Sequence, residues 1–531
     1  MLLSAQRINF GIASTSRKTC PRQIGLQLML KATLVATLLD EPSSRGEELA
    51  ALPNTVDWLE VRADLIGDPD VESLRRRFRG GLVYTLRSHA EGGRAGDDQS
   101  DRTGRLLAAA NQYDLINLEG DRDLSPELLA RIPSERRMIS WHGPAIGAEQ
   151  LRSKFANFAE VAARYYKLAP AAARSGDEIA PLSLLRLLSR SDTAAYATGP
   201  IGRWSRLAAL ALGSPLVFGA VGAPAEEPSL NRMIADYGLP NMMPFREIYG
   251  IAGNPVSHSL SPRLHNAGYR TLGRQALFVP FHVESFSDFW DHLLTSSALH
   301  TLAMPIMGLT VASPHKEAAL AAATKVSSIA CGAGSANLLV RDNGHWRADT
   351  TDPDIVFMSS RERGVDVKQR RVAVIGCGGA GRAIAVALDQ SGARVTLVNR
   401  GQERGSFAAQ LLGLPYVPLL NFDAEGYHVV VNATPVGRDD DAAPFRLETL
   451  ADEAVVIDLV YGSRPTPLVS NSVGLGRTVI DGRDVLLTQV LRQFQIMTGR
   501  EMSVRLARET LGQQVTKADG RKGKLHSARL V

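Results

Sequence analysis

Eight short apolar or β-rich runs follow one another between residues 30 and 240, at 32–39, 56–61, 81–86, 115–119, 137–141, 165–169, 193–198 and 216–221. Stretches able to form helices, such as 125–131 and 153–164, lie between most of them. Strands alternating with helices call for a parallel sheet, because each parallel connection must cross over a face. Eight such units predict a closed (β/α)8 barrel at the short end of its usual length, with an open doubly wound sheet as the rival. At 531 residues the chain exceeds one hydrophobic core, so further domains must follow.

In a barrel of this kind, chemistry belongs at the C-terminal ends of the strands. Glu60, Arg62 and Asp64 end the second run, and Arg87, followed by Glu91-Gly92-Gly93, ends the third. His142 follows the fifth run, Lys167 lies within the sixth, and Arg206 follows the seventh. Each residue alone is commonplace; their convergence on strand ends marks a site. Tyr165, Tyr166 and Leu168 flank Lys167 and favour an inward side chain. A lysine among arginines and little water has a lowered pKa and can attack a ketone as an amine. His142 can move protons near neutral pH.

A different rhythm begins at 249–262, where an apolar strand runs into Gly253-Asn-Pro-Val-Ser-His-Ser259-Leu-Ser261-Pro262. Pro262 suits the first turn of a helix. The clearest local signal lies further on. Arg371-Val-Ala-Val-Ile375 reads as a strand, followed at once by Gly376, Cys377, Gly378, Gly379, Ala380 and Gly381, then a helix pattern and a second strand at 394–398. Glycines there permit a tight turn and let a pyrophosphate approach a helix N-terminus. The second strand ends in Asn399-Arg400, with Arg404 beyond. An acid there would suit the ribose of NAD; arginines suit the 2′-phosphate of NADP. The ends of the strands at 429–432 and 455–460, carrying Asn432, Thr434 and Tyr461, are expected to face the same crevice. Between these landmarks lie Lys316, Asn337, Thr351 and Asp352. A ketone being reduced needs a nearby proton donor, and a carboxylate keeps a lysine oriented and protonated.

Composition excludes several classes. Sixty basic residues against 55 acidic ones leave a net charge of +5, scattered rather than striped, so nucleic acid is not implied. Three distant cysteines suggest neither a disulfide framework nor a metal site, and a reducing, cytoplasmic setting is expected. No run approaches the ~18 apolar residues needed to span a bilayer. Residues 1–29 lack acids and have a transit-peptide-like composition; a disordered extension, or a true start at Met29, is the alternative. Residues 513–531 read as a basic tail.

The first half resembles type I 3-dehydroquinate dehydratase. The matching pieces are Glu60-Val61-Arg62, Thr85-Leu86-Arg87-Ser88 with Glu91-Gly92-Gly93, Ser140-Trp141-His142, Tyr166-Lys167-Leu168, Ser205-Arg206 and Phe218-Gly219-Ala220-Val221. The resemblance implies an imine at Lys167, proton transfer by His142 oriented by Glu91, and substrate binding by Glu60, Arg62, Arg87 and Arg206. It departs at 225–230, where the family's serine- and glutamine-bearing loop is replaced by Ala225-Glu226-Glu227-Pro228-Ser229-Leu230.

The second half resembles shikimate dehydrogenase through Gly253–Pro262, Pro314-His315-Lys316, Thr350-Thr351-Asp352, the glycine loop, Asn399-Arg400, Asn432-Ala433-Thr434, Tyr461, Asp481-Gly482 and Gln489. The resemblance implies that Ser259, Ser261, Asn337, Thr351, Tyr461 and Gln489 grip shikimate. It also implies that Lys316 and Asp352 relay the proton, with Gly482 on the cofactor side. Departures are Thr310-Val-Ala-Ser and Thr350.

The expected α/β chain is thus a 30–240 barrel, a 246–352 plus 482–512 substrate domain, and a 353–481 Rossmann NADP-binding domain. Its expected function is successive dehydration of 3-dehydroquinate and reduction of 3-dehydroshikimate. The alternatives are a ligand-sensing regulator built from the same domains, and a catabolic enzyme oxidising quinate or shikimate with NAD.

Overall fold

A computed structural model describes residues 29–41, 46–222, 229–362, 366–462 and 464–513. The two terminal segments and most of the departing 225–230 loop lie outside the described residues. Eight parallel strands coincide with the eight runs: Thr33–Leu38, Trp58–Arg62, Gly81–Thr85, Leu115–Glu119, Arg137–Trp141, Tyr165–Leu168, Thr193–Ala195 and Leu216–Ala220. The first seven pair in chain order, and the first strand also pairs with the eighth. That ring excludes the doubly wound alternative.

The closure is incomplete in one place. Among the described residues the seventh strand pairs only with the sixth, which leaves a seam beside the eighth. The seventh strand has only three residues in its ladder, and the Ser205–Ala211 helix bridges its end to the neighbouring strand. Ser205 Oγ accepts from Ala197 N at 2.9 Å, while Arg206 Nη1 donates to Phe218 O at 2.7 Å.

The helix expected at 153–164 lies instead at Ala148–Ala159. Its buried stripe is Leu151, Phe155 and Phe158, and the Gln150 side chain accepts from Gly147 N at its start. Residues beyond Glu160 extend toward the sixth strand, where Arg164 N already bonds Arg137 O.

A second six-stranded sheet opens with Glu247–Gly253 and mixes parallel with antiparallel pairs. Its strands end at His345–Asp349, and the Gly482–Thr498 helix returns to cover it with Leu487, Val490 and Phe494. The third sheet is wholly parallel. Counting its strands along the chain from Arg371–Ile375, the spatial order is 3-2-1-4-5-6, the Rossmann order.

One apolar core runs without a break from the barrel into the second sheet, joining barrel residues such as Leu207 to Val279 and Phe281. Trp204 meets Phe281 edge-on, with ring centroids 5.2 Å apart. Trp204 is also fixed on the barrel side, its Nε1 donating to Glu178 Oε1 at 2.8 Å.

A shared core predicts shared unfolding. Phe281→Ala should cost about 3–5 kcal/mol. In calorimetry it should lower the transition of the barrel together with that of the second sheet. An unchanged barrel transition would show the two cores to be independent.

Candidate active sites

Strand ends bring the first cluster together. Glu60, Arg62, Arg87, His142, Lys167 and Arg206 line one cleft at the barrel's C-terminal face, with Phe218 and Tyr196 as apolar walls. Lys167 is 3% exposed, and its ammonium position lies 3.7 Å from the Phe218 ring centre. Burial, with Arg87, Arg206 and Arg62 nearby, brings its pKa down to about 7 despite the opposing charge of Glu60. Glu60 stays ionised: burial pushes it up, but Lys167, Arg87 and Arg62 outweigh that and hold it low. The hydroxyls of Thr37 and Thr85 each donate to it at 2.8 Å.

His142 is held at both ring nitrogens. Arg87 Nη2 lies 3.0 Å from Nε2, and Glu91 Oε2 lies 3.0 Å from Nδ1 and 3.0 Å from the His142 backbone N. A guanidinium can only donate, so Nε2 must accept and Nδ1 must carry the proton. Burial and then Arg87, Lys167 and Arg62 push the imidazole well below its usual range, so it is neutral at pH 7. Burial and Glu119 raise Glu91 to about 8. The geometry leaves a neutral base whose free lone pair is covered by Arg87. An anionic ligand that draws Arg87 away would uncover it.

Behind Glu91 lies a network that the sequence reading missed. Arg102 binds Asp123 through two bonds of 2.7 and 2.6 Å, lies 3.3 Å from Glu119 and donates to Leu86 O at 2.6 Å. Glu119 in turn accepts from Ser88 N at 2.7 Å. Arg102 sits mid-helix and Asp123 beyond a strand, with no local pattern to mark them, whereas Glu119 ends the fourth run and carries the strand-end signal. Arg62 is turned largely toward Asp64, which it meets in two bonds of 2.8 Å.

The second site straddles the other two sheets. Lys316 begins the Lys316–Ala322 helix, and its Nζ lies 2.6 Å from Asp352 Oδ2. Asn337 and Gln489 both donate to Asp352 Oδ1 at 2.8 Å. Thr351 is held to Asn337 through backbone and side chain. Gln493 also belongs here: it donates to Thr351 Oγ1 at 3.1 Å and accepts from Thr310 Oγ1 at 3.1 Å. Its spacing of one helical turn from Gln489 was the available signal. The departure at Thr310 therefore keeps a polar wall. Thr350 supports the start of the Asp352–Glu362 helix, its hydroxyl accepting from Asp352 N at 3.4 Å.

Ser259 and Ser261 are buried at the entry of the Ser261–Leu272 helix, where Ser259 Oγ accepts from Ser261 N at 3.2 Å. Burial raises the pKa of the Tyr461 hydroxyl, and the Ser259 side chain is among the groups that oppose that rise.

The glycine loop fits a dinucleotide. Gly376 has φ +106°, and a Cβ at Gly381 would lie 1.8 Å from Gly376 O. The loop feeds the Gly379–Gln390 helix at the point where the strand order reverses, next to Ala433 and Thr434. Gly379 borders Lys316, which brings loop and lysine together. Gly482 starts the long Gly482–Thr498 helix against Val460 O. Arg400 and Arg404 are exposed, Arg404 lying 3.9 Å from Glu317.

Two residues expected at the cofactor have committed side chains. Asn399 accepts from Cys377 N and donates to Gly401 O, so it shapes the loop. Asn432 is fully buried, donating to Asp458 and accepting from Thr434.

The class is that of a lysine-bearing barrel enzyme fused to a dinucleotide-binding dehydrogenase. The model for type I 3-dehydroquinase matches residues 34–249, and that for the shikimate dehydrogenase substrate binding domain matches residues 251–339. The chain is 26% identical over 513 residues to a bifunctional 3-dehydroquinate dehydratase/shikimate dehydrogenase, chloroplastic, of Arabidopsis thaliana, covering 89% of this chain and 82% of the relative. It is 36% identical over 261 residues to shikimate dehydrogenase (NADP(+)) of Methanothrix thermoacetophila, covering 49% of this chain and 94% of that one. A solved shikimate 5-dehydrogenase from Thermus thermophilus, in complex with NADP(H) and shikimate, aligns at 29% identity and a TM-score of 0.45, covering 50% of this chain and 97% of the other. The chain belongs to the type I 3-dehydroquinase family in its first half and to the shikimate dehydrogenase family in its second, joined as a bifunctional fusion.

The Lys167 amine should acylate along a titration centred near pH 7, with labelling full above it and falling about tenfold per pH unit below. Glu60→Gln removes a nearby charge that favours the ammonium, so it should move the midpoint lower. Mass spectrometry of labelled peptides across pH gives both values; a midpoint near that of free lysine would refute the buried-amine geometry.

Proposed function

We propose that the barrel dehydrates 3-dehydroquinate to 3-dehydroshikimate and that the second half reduces this product to shikimate with NADPH. The observation that carries the first step is the buried, near-neutral Lys167 within reach of a neutral His142. The amine attacks the substrate ketone and expels water to form an imine, which makes the α-proton acidic. The substrate's anionic and hydroxyl groups draw Arg87 off His142 Nε2. His142 then takes the α-proton and returns a proton to the departing β-hydroxyl, which leaves as water. Hydrolysis of the imine restores Lys167.

In the second site, Lys316 and Asp352 hold the reacting oxygen. Lys316 donates the proton as the ketone becomes an alkoxide, and Asp352 keeps the lysine aimed. Asn337, Gln489 and Gln493 fix that pair and Thr351. NADPH, when bound, supplies the hydride. The glycine loop, the helix start and the exposed Arg400 and Arg404 support NADP over NAD. Lys167, His142, Lys316 and Asp352 are all present and paired or enclosed, which favours catalysis over ligand sensing. Cys331 and Cys377 are free thiols, which supports a reducing and in this reading cytoplasmic setting. No helix among the described residues is long and apolar enough to cross a membrane.

Purified protein given 3-dehydroquinate should generate a conjugated enone by ultraviolet absorbance, and NADPH added afterwards should be consumed. No enone would sink the first assignment, and enone without NADPH oxidation the second. Borohydride with substrate should label Lys167, and Lys167→Ala should abolish trapping. Lys316→Ala should lower dehydrogenase kcat by about 10²–10⁴-fold. Replacing Arg400 and Arg404 together by serine should cut the NADP-over-NAD ratio of kcat/KM by about tenfold or more. An unchanged ratio would remove these arginines from cofactor choice.

A further inference from the structure

The loop that carries Ser259 is held from outside the dehydrogenase. The Leu230–Tyr237 helix belongs to the barrel and follows its eighth strand. From it, Arg232 Nη2 reaches across and donates to Ser259 O at 2.7 Å. Arg232 Nε is gripped one turn later by Asp236 Oδ2 at 3.2 Å. Asp236 is 2% exposed, and its other oxygen accepts from Arg263 Nε at 2.7 Å. Arg263 lies on the Ser261–Leu272 helix, whose first residue is the second serine of the pocket. The circuit is therefore closed: one barrel carboxylate and one barrel guanidinium hold both the end of the loop and the start of the helix.

We propose that Arg232, braced by Asp236, is a positioning residue for the dehydrogenase, setting Ser259 and Ser261 for the carboxylate of its substrate. The inference rests on the shikimate reading of that pocket. Hydroxyls that bind a carboxylate must be placed within about 0.5 Å, and a loop reaches that only when its backbone is pinned. Other bonds of Ser259, from Ser261 N to its hydroxyl and from its own N to Val256 O, lie within the dehydrogenase half. Two guanidinia on one carboxylate also leave one positive charge beside the pocket, which favours an anion. The barrel thus contributes to the second active site without touching its substrate.

The test uses the full chain with Arg232→Gln, Arg232→Lys and Asp236→Asn, assayed for shikimate oxidation with NADP and separately for dehydration. Arg232→Gln should raise the shikimate KM about tenfold, with kcat changed less than about twofold and dehydration unaltered. Arg232→Lys keeps one charged donor and should recover to within about threefold of wild type. Asp236→Asn should shift KM in the same direction as Arg232→Gln. A wild-type KM in Arg232→Gln would overturn the inference, as would equal loss of both activities with a lowered melting temperature, which would mark a purely structural role. A wild-type chain that dehydrates 3-dehydroquinate but never turns over shikimate would sink the functional reading, and this inference with it.

Discussion

A continuous apolar core between the barrel and the second sheet is the constraint on which the rest of the molecule depends. Trp204 against Phe281, and the buried residues around them, leave little room for the two halves to move independently. A single hydrogen bond such as Arg232 to the Ser259 carbonyl has directional value only across a joint of this kind. Across a flexible linker, the side-chain entropy of holding it would offset much of its enthalpy.

Two active-site lysines, one buried and one partly exposed, are handled in opposite ways. Lys167 lies among arginines, with an aromatic face beside it and the Glu60 carboxylate opposing them, so its proton is easily lost. Lys316 sits at 2.6 Å from Asp352, whose second oxygen is occupied by two amides. The first arrangement suits a nucleophile and the second a proton donor. The same residue type therefore serves two chemistries because its neighbours differ in charge and geometry.

Much of the fold was legible locally. The eight runs became eight strands because short apolar, β-rich runs between helices report strands buried on both faces of a parallel sheet, and the glycine loop became the Rossmann turn because few other sequences permit that backbone. The candidate cluster was legible where residues ended strands, as with Glu60, Arg87, His142 and Lys167. It was not legible where a partner came from distant chain. Arg102 behind Glu91 and Arg87 covering the His142 lone pair depend on approaches that no spacing announces. The helix at Ala148–Ala159 was displaced from its expected place because its apolar stripe starts at Leu151, which outweighed local helix preference further on.

The residue types at strand ends, the order of the sheets and the preference for a 2′-phosphate follow from the chain itself, since periodicity, glycine and charge act over a few residues. Tertiary structure decided the rest. It left the barrel seam between the seventh and eighth strands, it committed Asn399 and Asn432 to their own loops, and it brought a barrel arginine to the second enzyme's loop. These outcomes depend on desolvation and on distances between segments far apart in sequence, and both exist only once the core has closed.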